Sequence, residues 1–239
     1  MCHRIPPGHP DNEPAGCLLC AIRSLSICDA LDESELRELV RLSQRVRFGS
    51  KEPLFSEGDQ SDASFNVSEG TVRLYKLLPD GRRQIIGFAL PGDFIGVATG
   101  IRYGLSADAV EPVRACRLPK EPFSRFIESK PRMLQRMNDF ARNELVLAQN
   151  HMVSLGRRSA EEKIAAFLIG WRDRLERIGR STKTIHLPMS RQDIADYLGL
   201  TVETVSRTLT RLERENTILI VPGGVRLINL GRVEALAVA

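Results

Sequence analysis

The chain has 239 residues, of which 42% are hydrophobic and 27% charged, and its formal net charge is +4. This composition predicts a globular protein of one large or two small domains. The aromatic fraction of 5% argues against an aromatic-lined RNA platform. No apolar run approaches the roughly 20 residues of a bilayer-crossing helix. The net charge permits a nucleic-acid partner without requiring one.

The first segment, residues 1–28, carries most of the cysteine. Its opening stretch, MCHRIPPGHPDNEPAGC, lacks the apolar region of a secretory signal, so we expect a flexible arm in a cytoplasmic protein. Cys17, Cys20 and Cys28 fall within twelve residues of a chain that has five cysteines. Disulfides are rare in the cytoplasm, so clustered cysteines there more often hold a metal or sense redox state.

The next part of the chain predicts one short helix followed by a β domain. Asp32 and Glu35 could cap an amphipathic helix over residues 29–43. From 46 to 120, short apolar runs alternate with Gly, Pro and Asp turns, which predicts the short strands of a sandwich or barrel. Pro79-Asp80-Gly81 is a hairpin turn.

Residues 131–156 predict one long helix with a heptad seam. The seam residues recur at alternating spacings of four and three, the rhythm of a coiled coil. They are Leu134, Asn138, Ala141, Leu145, Ala148, Met152 and Leu155. A helix packed in the core of its own domain is the alternative. We interpret the seam as a homodimer interface, because the helix lies between two unlike halves, and Asn138 would then favour one register.

The arginine-rich C-terminal part predicts a DNA-binding unit. Ser190 and Asp193 form a capping-box-like pair at the start of one helix, which Gly199 ends. Thr201 caps a second helix that continues to about Glu213. Two short helices joined by a Gly-containing turn make a helix-turn-helix. The following stretch, ILIVPGGVRLINL, predicts the strand, turn and strand of a β wing.

The outward face of the second helix carries the predicted base contacts, because the N-terminal residues of this helix meet base edges in the major groove. Arg207 can donate to guanine, Glu203 can accept from cytosine, and Ser206 is small enough to reach any base or a phosphate. Glu203 and Arg207 are four residues apart and could instead pair with each other. The other predicted DNA contacts are Thr201 on the same face and, for phosphates, Arg191 and Arg211.

Three stretches resemble the CRP/FNR family of bacterial transcription regulators: GDFIG at 92–96, SAEEKIAAFL at 159–168 and RQDIADYLGLTVETVSRTLTRLE at 191–213. Within the last, ETVSR is similar to the E-x-x-S-R recognition motif of the FNR branch. The resemblance spans about residues 17–231 and implies an α+β fold. Its expected parts are a flexible cysteine-bearing arm (1–28), a β-roll like the cyclic-nucleotide-binding jelly roll (29–130), a dimerisation helix (131–156) and a winged helix-turn-helix domain (157–239).

The resemblance also implies a role for the cysteines. FNR-type oxygen sensors hold a 4Fe-4S cluster on three N-terminal cysteines and one from the β domain, here Cys17, Cys20, Cys28 and Cys116. The C-x2-C-x7-C spacing departs from the C-x2-C-x5-C of enterobacterial FNR. It resembles a variant found in photosynthetic and nitrogen-fixing bacteria. From the residues alone, zinc on four thiolates is nearly as good an explanation, and Cys116 could be a small buried strand residue.

The family resemblance further implies a homodimer on a palindrome like TTGAT-NNNN-ATCAA, mainly activating anaerobic or microaerobic genes through RNA polymerase. The hairpin at 79–82 resembles a polymerase contact loop. The alternative is a zinc-stabilised or cluster-free regulator, or a structural DNA-binding protein. The chain has no P-loop, G-x-S-x-G or H-E-x-x-H motif, so we predict no enzymatic activity.

Two other cofactors of the family are less well matched. No cAMP binding is expected, because Val97 stands where cAMP-binding relatives have Glu, and Leu105-Ser106 stands where they have the Arg-Ser pair that grips the cyclic phosphate. An apolar pocket without that arginine offers a phosphate no counter-charge. For a haem, His3 and His9 in the arm are weak candidates for axial ligands.

Overall fold

The computed structural model describes residues 3–4, 17, 20–97 and 100–238. Its contacts divide the chain into two units. The first comprises Met1–Lys76 and Ile86–Glu144, and the second comprises Leu77–Ile85 and Leu145–Ala239. Within the described residues, no helix combines the length and the apolar character needed to span a membrane.

Two antiparallel sheets form the centre of the first unit. One has the order β1 (His3–Arg4), β2 (Gln44–Phe48), β9 (Val113–Pro119), β4 (Ala63–Glu69) and β7 (Phe94–Ile95). The other has the order β3 (Pro53–Phe55), β8 (Ser106–Ala109), β5 (Val72–Leu77) and β6 (Arg83–Ala89), and the ends of β5 and β6 at Leu77 and at residues 83–85 are assigned to the second unit. Successive side chains of a strand point to opposite faces of the sheet, so alternate residues face the core. In β4, Ala63, Phe65 and Val67 join the apolar core, which leaves Ser64 and Asn66 on the outer face.

A second apolar cluster packs helices against that outer face. The helices are α1 (Glu33–Leu42), α2 (Lys120–Glu128) and the first half of α3 (Pro131–Arg157). The cluster consists of Ile27, Leu31, Leu36, Leu39, Leu118, Phe123, Phe126 and Met133. The predicted cap of α1 is confirmed: the Asp32 carboxylate accepts from the Glu35 N–H at 2.9 Å, and the Glu35 carboxylate accepts from the Asp32 N–H at 3.1 Å.

Residues 20–28 depart from the flexible arm that the sequence predicts. They contain one 3-10 turn at Arg23–Leu25 and the start of another at Ile27–Ala30. Ile22 and Ile27 are buried. Burial of apolar side chains offsets the entropy lost when the segment becomes ordered. Of the remaining arm, only residues 3–4 and 17 belong to the described part of the chain.

The second unit contains the predicted winged helix-turn-helix. Its elements are α4 (Ala160–Arg177), β10 (Ile185–His186), α5 (Arg191–Leu198), α6 (Val202–Arg214), β11 (Ile218–Val221) and β12 (Gly224–Leu227), with strand order β10-β12-β11. A further helix, α7 (Leu230–Val238), was not predicted. Its signals are Asn229, whose side chain accepts from the Arg232 N–H, and the buried residues Val233 and Ala237, four apart.

The long helix α3 spans the residues of the heptad seam. Six seam residues are exposed in the single chain: Leu134, Asn138, Ala141, Leu145, Ala148 and Met152. Leu155 is half-buried, because it packs against the turn between α5 and α6: a Cβ on Gly199 would lie 3.2 Å from its Cδ2 atom. The apolar residues of this stripe are therefore exposed to solvent in a single copy of the chain. The homodimer remains a prediction.

Candidate functional site: a thiol cluster and a nucleic-acid interface

Cys116 lies in a row of three side chains that crosses the outer face of the five-stranded sheet. In the antiparallel register, Cys116 of β9 is directly opposite Arg45 of β2 on one side and Asn66 of β4 on the other. Directly opposite side chains lie on the same face of a sheet. A thiol is therefore flanked by a guanidinium group and a carboxamide.

Each flanking residue contacts one of the N-terminal thiols. Arg45 Nη2 donates to Cys17 Sγ at 3.6 Å, and Asn66 Nδ2 lies 4.0 Å from Cys28 Sγ. Cys20 belongs to the same turn as Cys17, since its N–H donates to the Cys17 carbonyl. The structure thus brings the four predicted ligand residues to one region, and all four are unoxidised and partly buried.

Burial makes two of these thiols weaker acids than an exposed cysteine. It raises the pKa of Cys28 to about 11 and the pKa of Cys116 to about 12, and the neighbouring cysteines reinforce both shifts. The Ser26 hydroxyl opposes the shift at Cys28, and the Arg45 charge opposes it at Cys116. Both thiols are therefore protonated at neutral pH in the metal-free chain. A metal that binds them must displace those protons.

The donor set fits an iron–sulfur cluster, which takes four Cys thiolates, two of them here from a C-x2-C turn. The buried Asn66 also leaves its Oδ1 atom without a hydrogen-bond partner in the described part of the chain, which marks an unsatisfied polar spot beside the thiols. Among residues 17, 20–97 and 100–238, no three ligand-type side chains stand close enough to hold a single ion. Four thiolates would also suit zinc.

Gly92 allows the cysteine segment, residues 20–28, to approach the sheet closely. We expect Gly92→Ala to disturb the contact between Gly92 and Leu25 of this segment. Gly92 has φ +98°, and a Cβ there would lie 3.0 Å from the Leu25 Cβ and 3.3 Å from the Leu25 carbonyl oxygen. Backbone strain of this kind costs about 1–3 kcal/mol, and displacement of Leu25 should add to it. Thermal unfolding and proteolysis within residues 20–31 measure the two effects.

Gly58→Ala is the matched control, because Gly58 has φ +86° but no atom within 4 Å of the added Cβ. Gly92→Ala should destabilise the fold more than Gly58→Ala, and only Gly92→Ala should expose the segment to protease. Equal effects of both variants would show that the close approach of Leu25 does not depend on the absence of a side chain at residue 92.

The helix-turn-helix has the capping that its sequence predicts. The Ser190 side chain accepts from the Asp193 N–H, and the Asp193 carboxylate accepts from the Ser190 N–H, so the capping box of α5 is confirmed. Gly199 ends α5 at φ +63°, in the left-handed region that glycine adopts without strain. The Thr201 hydroxyl caps α6 by accepting from the Thr204 N–H at 3.2 Å.

The predicted base-reading residues lie together on the outer face of α6. Thr201, Glu203, Ser206 and Arg207 are all exposed, whereas Val205 is buried. The pKa of Glu203 is lowered, first because its own backbone N–H donates to the carboxylate, then by the Thr201 hydroxyl, and least by the charge of Arg207. The helix terminus thus holds the Glu203 carboxylate, which leaves Arg207 exposed to meet a base.

The two predicted phosphate contacts differ in their surroundings. Arg211 forms an exposed ion pair with Glu161 at 2.6 Å, so it would exchange a carboxylate for a phosphate. Arg191 is half-buried, with one Nη atom lacking a hydrogen-bond partner among the described residues. A depression of about 350 Å³ lies between the start of α4 and α6. Its lining includes Arg207, Arg211 and Ala160, and arginines beside a helix N-terminus favour an anion.

The hairpin at 77–85 belongs to the second unit, and Arg83 attaches it to α5. Arg83 donates to the Asp193 carboxylate at 2.6 Å and to the Asp196 carboxylate at 2.8 Å. The predicted turn is confirmed by the bond from the Gly81 N–H to the Leu78 carbonyl at 2.9 Å. Sequence reasoning missed Arg83, because its carboxylate partners lie more than a hundred residues away.

The interior of the first unit bears on the predicted absence of cAMP. Arg73 of β5 is directly opposite Asp108 of β8, and the two form a largely buried ion pair with Nη2 and Oδ2 2.8 Å apart. Ser106 accepts from the Glu57 N–H, and Val97 is exposed. The Arg73 guanidinium is therefore already neutralised by a carboxylate. Of the candidate haem ligands, the His9 residue and the His3 side chain lie outside the described part of the chain.

A β-roll, a long helix with an exposed heptad stripe, and a winged helix-turn-helix with exposed Glu203, Ser206 and Arg207 together define a class of protein, the DNA-binding transcription regulators. Comparison with known proteins agrees. Residues 187–218 match the bacterial regulatory proteins of the crp family, and residues 45–130 match the cyclic nucleotide-binding domain. The chain belongs to the CRP/FNR family of transcription regulators, which are not enzymes.

Two relatives and one solved structure illustrate the similarity. The transcriptional activatory protein AadR of Rhodopseudomonas palustris is 61% identical over 92% of each chain. The nitrogen fixation regulation protein FixK of Bradyrhizobium diazoefficiens is 57% identical over 95% of this chain and 97% of its own. The structure of FixK2 from Bradyrhizobium japonicum matches with a TM-score of 0.77 and 33% identity, over 82% of this chain and 98% of that one.

Proposed function

We propose that this chain is an oxygen-responsive transcription activator that holds a 4Fe-4S cluster on Cys17, Cys20, Cys28 and Cys116. One observation carries the proposal: Cys17 and Cys28 each contact a strand neighbour of Cys116. When bound, the cluster would supply an oxygen-labile link between the N-terminal segment and the sheet. The residues that contact the N-terminal segment would determine which part of the protein responds when this link is lost.

The cysteine segment contacts the first half of α3, which gives it a route to the dimer seam. Ile27 shares an apolar cluster with Met133, and Cys28 and Phe140 pack against that cluster. Arg136 of α3 also donates to the Ser24 carbonyl at 3.4 Å. A shift of the segment would therefore shift α3 and change the balance between monomer and homodimer.

The proposed partner of the homodimer is a palindrome like TTGAT-NNNN-ATCAA. Two copies of α6 would enter successive major grooves, as in other dimeric helix-turn-helix proteins. AadR is named a transcriptional activatory protein and FixK a regulation protein of nitrogen fixation, which supports activation of genes here. The exposed hairpin at 79–82 would contact RNA polymerase, and the DNA target implies a cytoplasmic location.

The test is a comparison of one preparation with and without air. Protein purified anaerobically should be coloured and contain iron and sulfide, and it should bleach in air. Titration of a duplex carrying the palindrome should give tighter binding before exposure than after it, and light scattering should give a larger mass before exposure. Binding and mass that are the same in both states, with or without iron, would contradict the proposal.

Zinc is the second candidate, because four thiolates also form its usual structural site. A colourless protein with one zinc per chain and air-independent binding to DNA would establish this reading. The chain would then remain a DNA-binding regulator whose N-terminal segment is held permanently against the sheet.

A further inference from the structure

We infer that Arg45 and Asn66 are positioning residues of the thiol site, which direct N–H groups at the sulfurs of Cys17 and Cys28 and thereby raise the reduction potential of the bound group. The inference rests on the proposed cluster site and goes beyond it by assigning residues that are not ligands. It is carried by the row Arg45–Cys116–Asn66 across three paired strands.

The position of Arg45 is determined by the sheet. In β2, Val46 and Phe48 are buried in the β-roll core, so Arg45 and Arg47 lie on the outer face. Only Arg45 is opposite Cys116; Arg47 is opposite Arg114. The Arg45 Nη2 atom is 3.6 Å from Cys17 Sγ, within reach of an N–H to sulfur hydrogen bond. A residue on a paired strand holds such a geometry more precisely than one on a loop.

Asn66 is a buried polar residue in an apolar stretch. It is 3% exposed and lies between Phe65 and Val67, which are also buried. Its Oδ1 atom has no hydrogen-bond partner among the described residues, and a buried carboxamide with an unpaired oxygen is unfavourable. Packing alone would favour an apolar residue here. The Nδ2 atom 4.0 Å from Cys28 Sγ gives the carboxamide a function.

Arg45 and Asn66 should both raise the reduction potential of the bound cluster. Four thiolates make an iron–sulfur cluster electron-rich, and net charge and hydrogen bonds to sulfur are among the factors that set its potential. A guanidinium charge and two N–H donors stabilise the form with one more electron. Their removal should lower the midpoint potential and make the cluster easier to oxidise in air.

The experiment compares Arg45→Gln, Arg45→Lys and Asn66→Ala with the natural chain, all loaded with iron and sulfide without air. Redox titration followed by absorbance measures the midpoint potential, and thermal unfolding measures the fold. Arg45→Gln should shift the one-electron equilibrium about tenfold toward the oxidised form, a change of about 59 mV. Arg45→Lys keeps the charge and should recover most of the shift, and Asn66→Ala should move the potential the same way by less.

Arg47→Gln and Ser64→Ala are matched controls, since Arg47 lies two residues from Arg45 and Ser64 lies two residues from Asn66, each on the same strand and the same face. Their potentials should equal that of the natural chain. Loss of iron from Arg45→Gln but not from Arg47→Gln would also support the inference. Equal potentials in the natural chain, Arg45→Gln and Asn66→Ala would overturn it alone. Absence of iron from the natural chain would overturn the proposed function and this inference together.

Discussion

Cys28→Ser should leave a folded chain that takes up no stable cluster and binds its palindrome equally well with and without air. Cys28 is partly buried where the N-terminal segment meets the sheet, and a hydroxyl is a poor substitute for a thiolate at iron. The natural chain should bind DNA roughly 5- to 150-fold more tightly without air, the usual range of coupling between two sites. The variant should lose this ratio entirely, as measured by titration of the duplex and by iron content.

Two controls separate loss of the cluster from loss of the fold. Metal-free Cys28→Ser should still unfold cooperatively and lose no more than about 1–3 kcal/mol of stability against the metal-free natural chain, because the side chains have similar volumes but a hydroxyl costs more to bury than a thiol. Cys2→Ser should keep both iron and the response to air, because Cys2 matches no ligand position. Cys2 lies outside the residues that the structure describes. A Cys28→Ser protein that still responds to air would remove Cys28 from the ligand set.

The helix-turn-helix was predictable because its signals are local. The caps at Ser190 and Thr201 lie next to the helices they start, and Gly199 ends the first helix through its own backbone conformation. Such signals act over three or four residues and need no knowledge of the rest of the fold. The missed helix α7 had signals of the same kind, a capping Asn229 and two buried residues four apart.

The surroundings of the thiols were not predictable, because they depend on strand register. Nothing near Cys116 in the sequence identifies Arg45 or Asn66 as its neighbours, since these residues lie 71 and 50 positions earlier. Register follows from the match of hydrophobic faces across a whole sheet. The packed state of residues 20–28 has the same origin, since their apolar side chains are buried against elements distant in sequence. Leu155 likewise has the heptad spacing of the seam, yet it also contacts Gly199.

The predicted dimer seam and the thiol cluster share one helix, which would place the two parts of the proposed function next to each other. The same helix, α3, has Met133 in the apolar cluster beside Cys28 and Leu134 on the exposed stripe. Adjacent residues of a helix point about 100° apart, so one rigid turn faces both the cysteine segment and the predicted partner. A small movement of the segment therefore need not be transmitted over a long path.

Arg207→Ala should abolish most of the preference for the palindrome while leaving non-specific DNA binding in place. Arg207 is exposed on the N-terminal half of α6, and the carboxylate of Glu203, one turn before it, is held mainly by the helix terminus. A bidentate arginine–guanine contact contributes about 1–3 kcal/mol of discrimination in each half-site. Parallel titrations of the palindrome and a scrambled duplex, at the same salt concentration, measure this ratio.

Arg211→Ala is the matched comparison, because Arg211 lies one turn further along the same helix and is paired with Glu161. Its loss should weaken binding to both duplexes alike and reduce the slope of binding against log salt by about one per phosphate contact. The two variants thus separate sequence reading from phosphate attraction on one helix face. If Arg207→Ala behaves like Arg211→Ala, with the preference for the palindrome intact, then Arg207 contacts the backbone and another residue of α6 reads the bases.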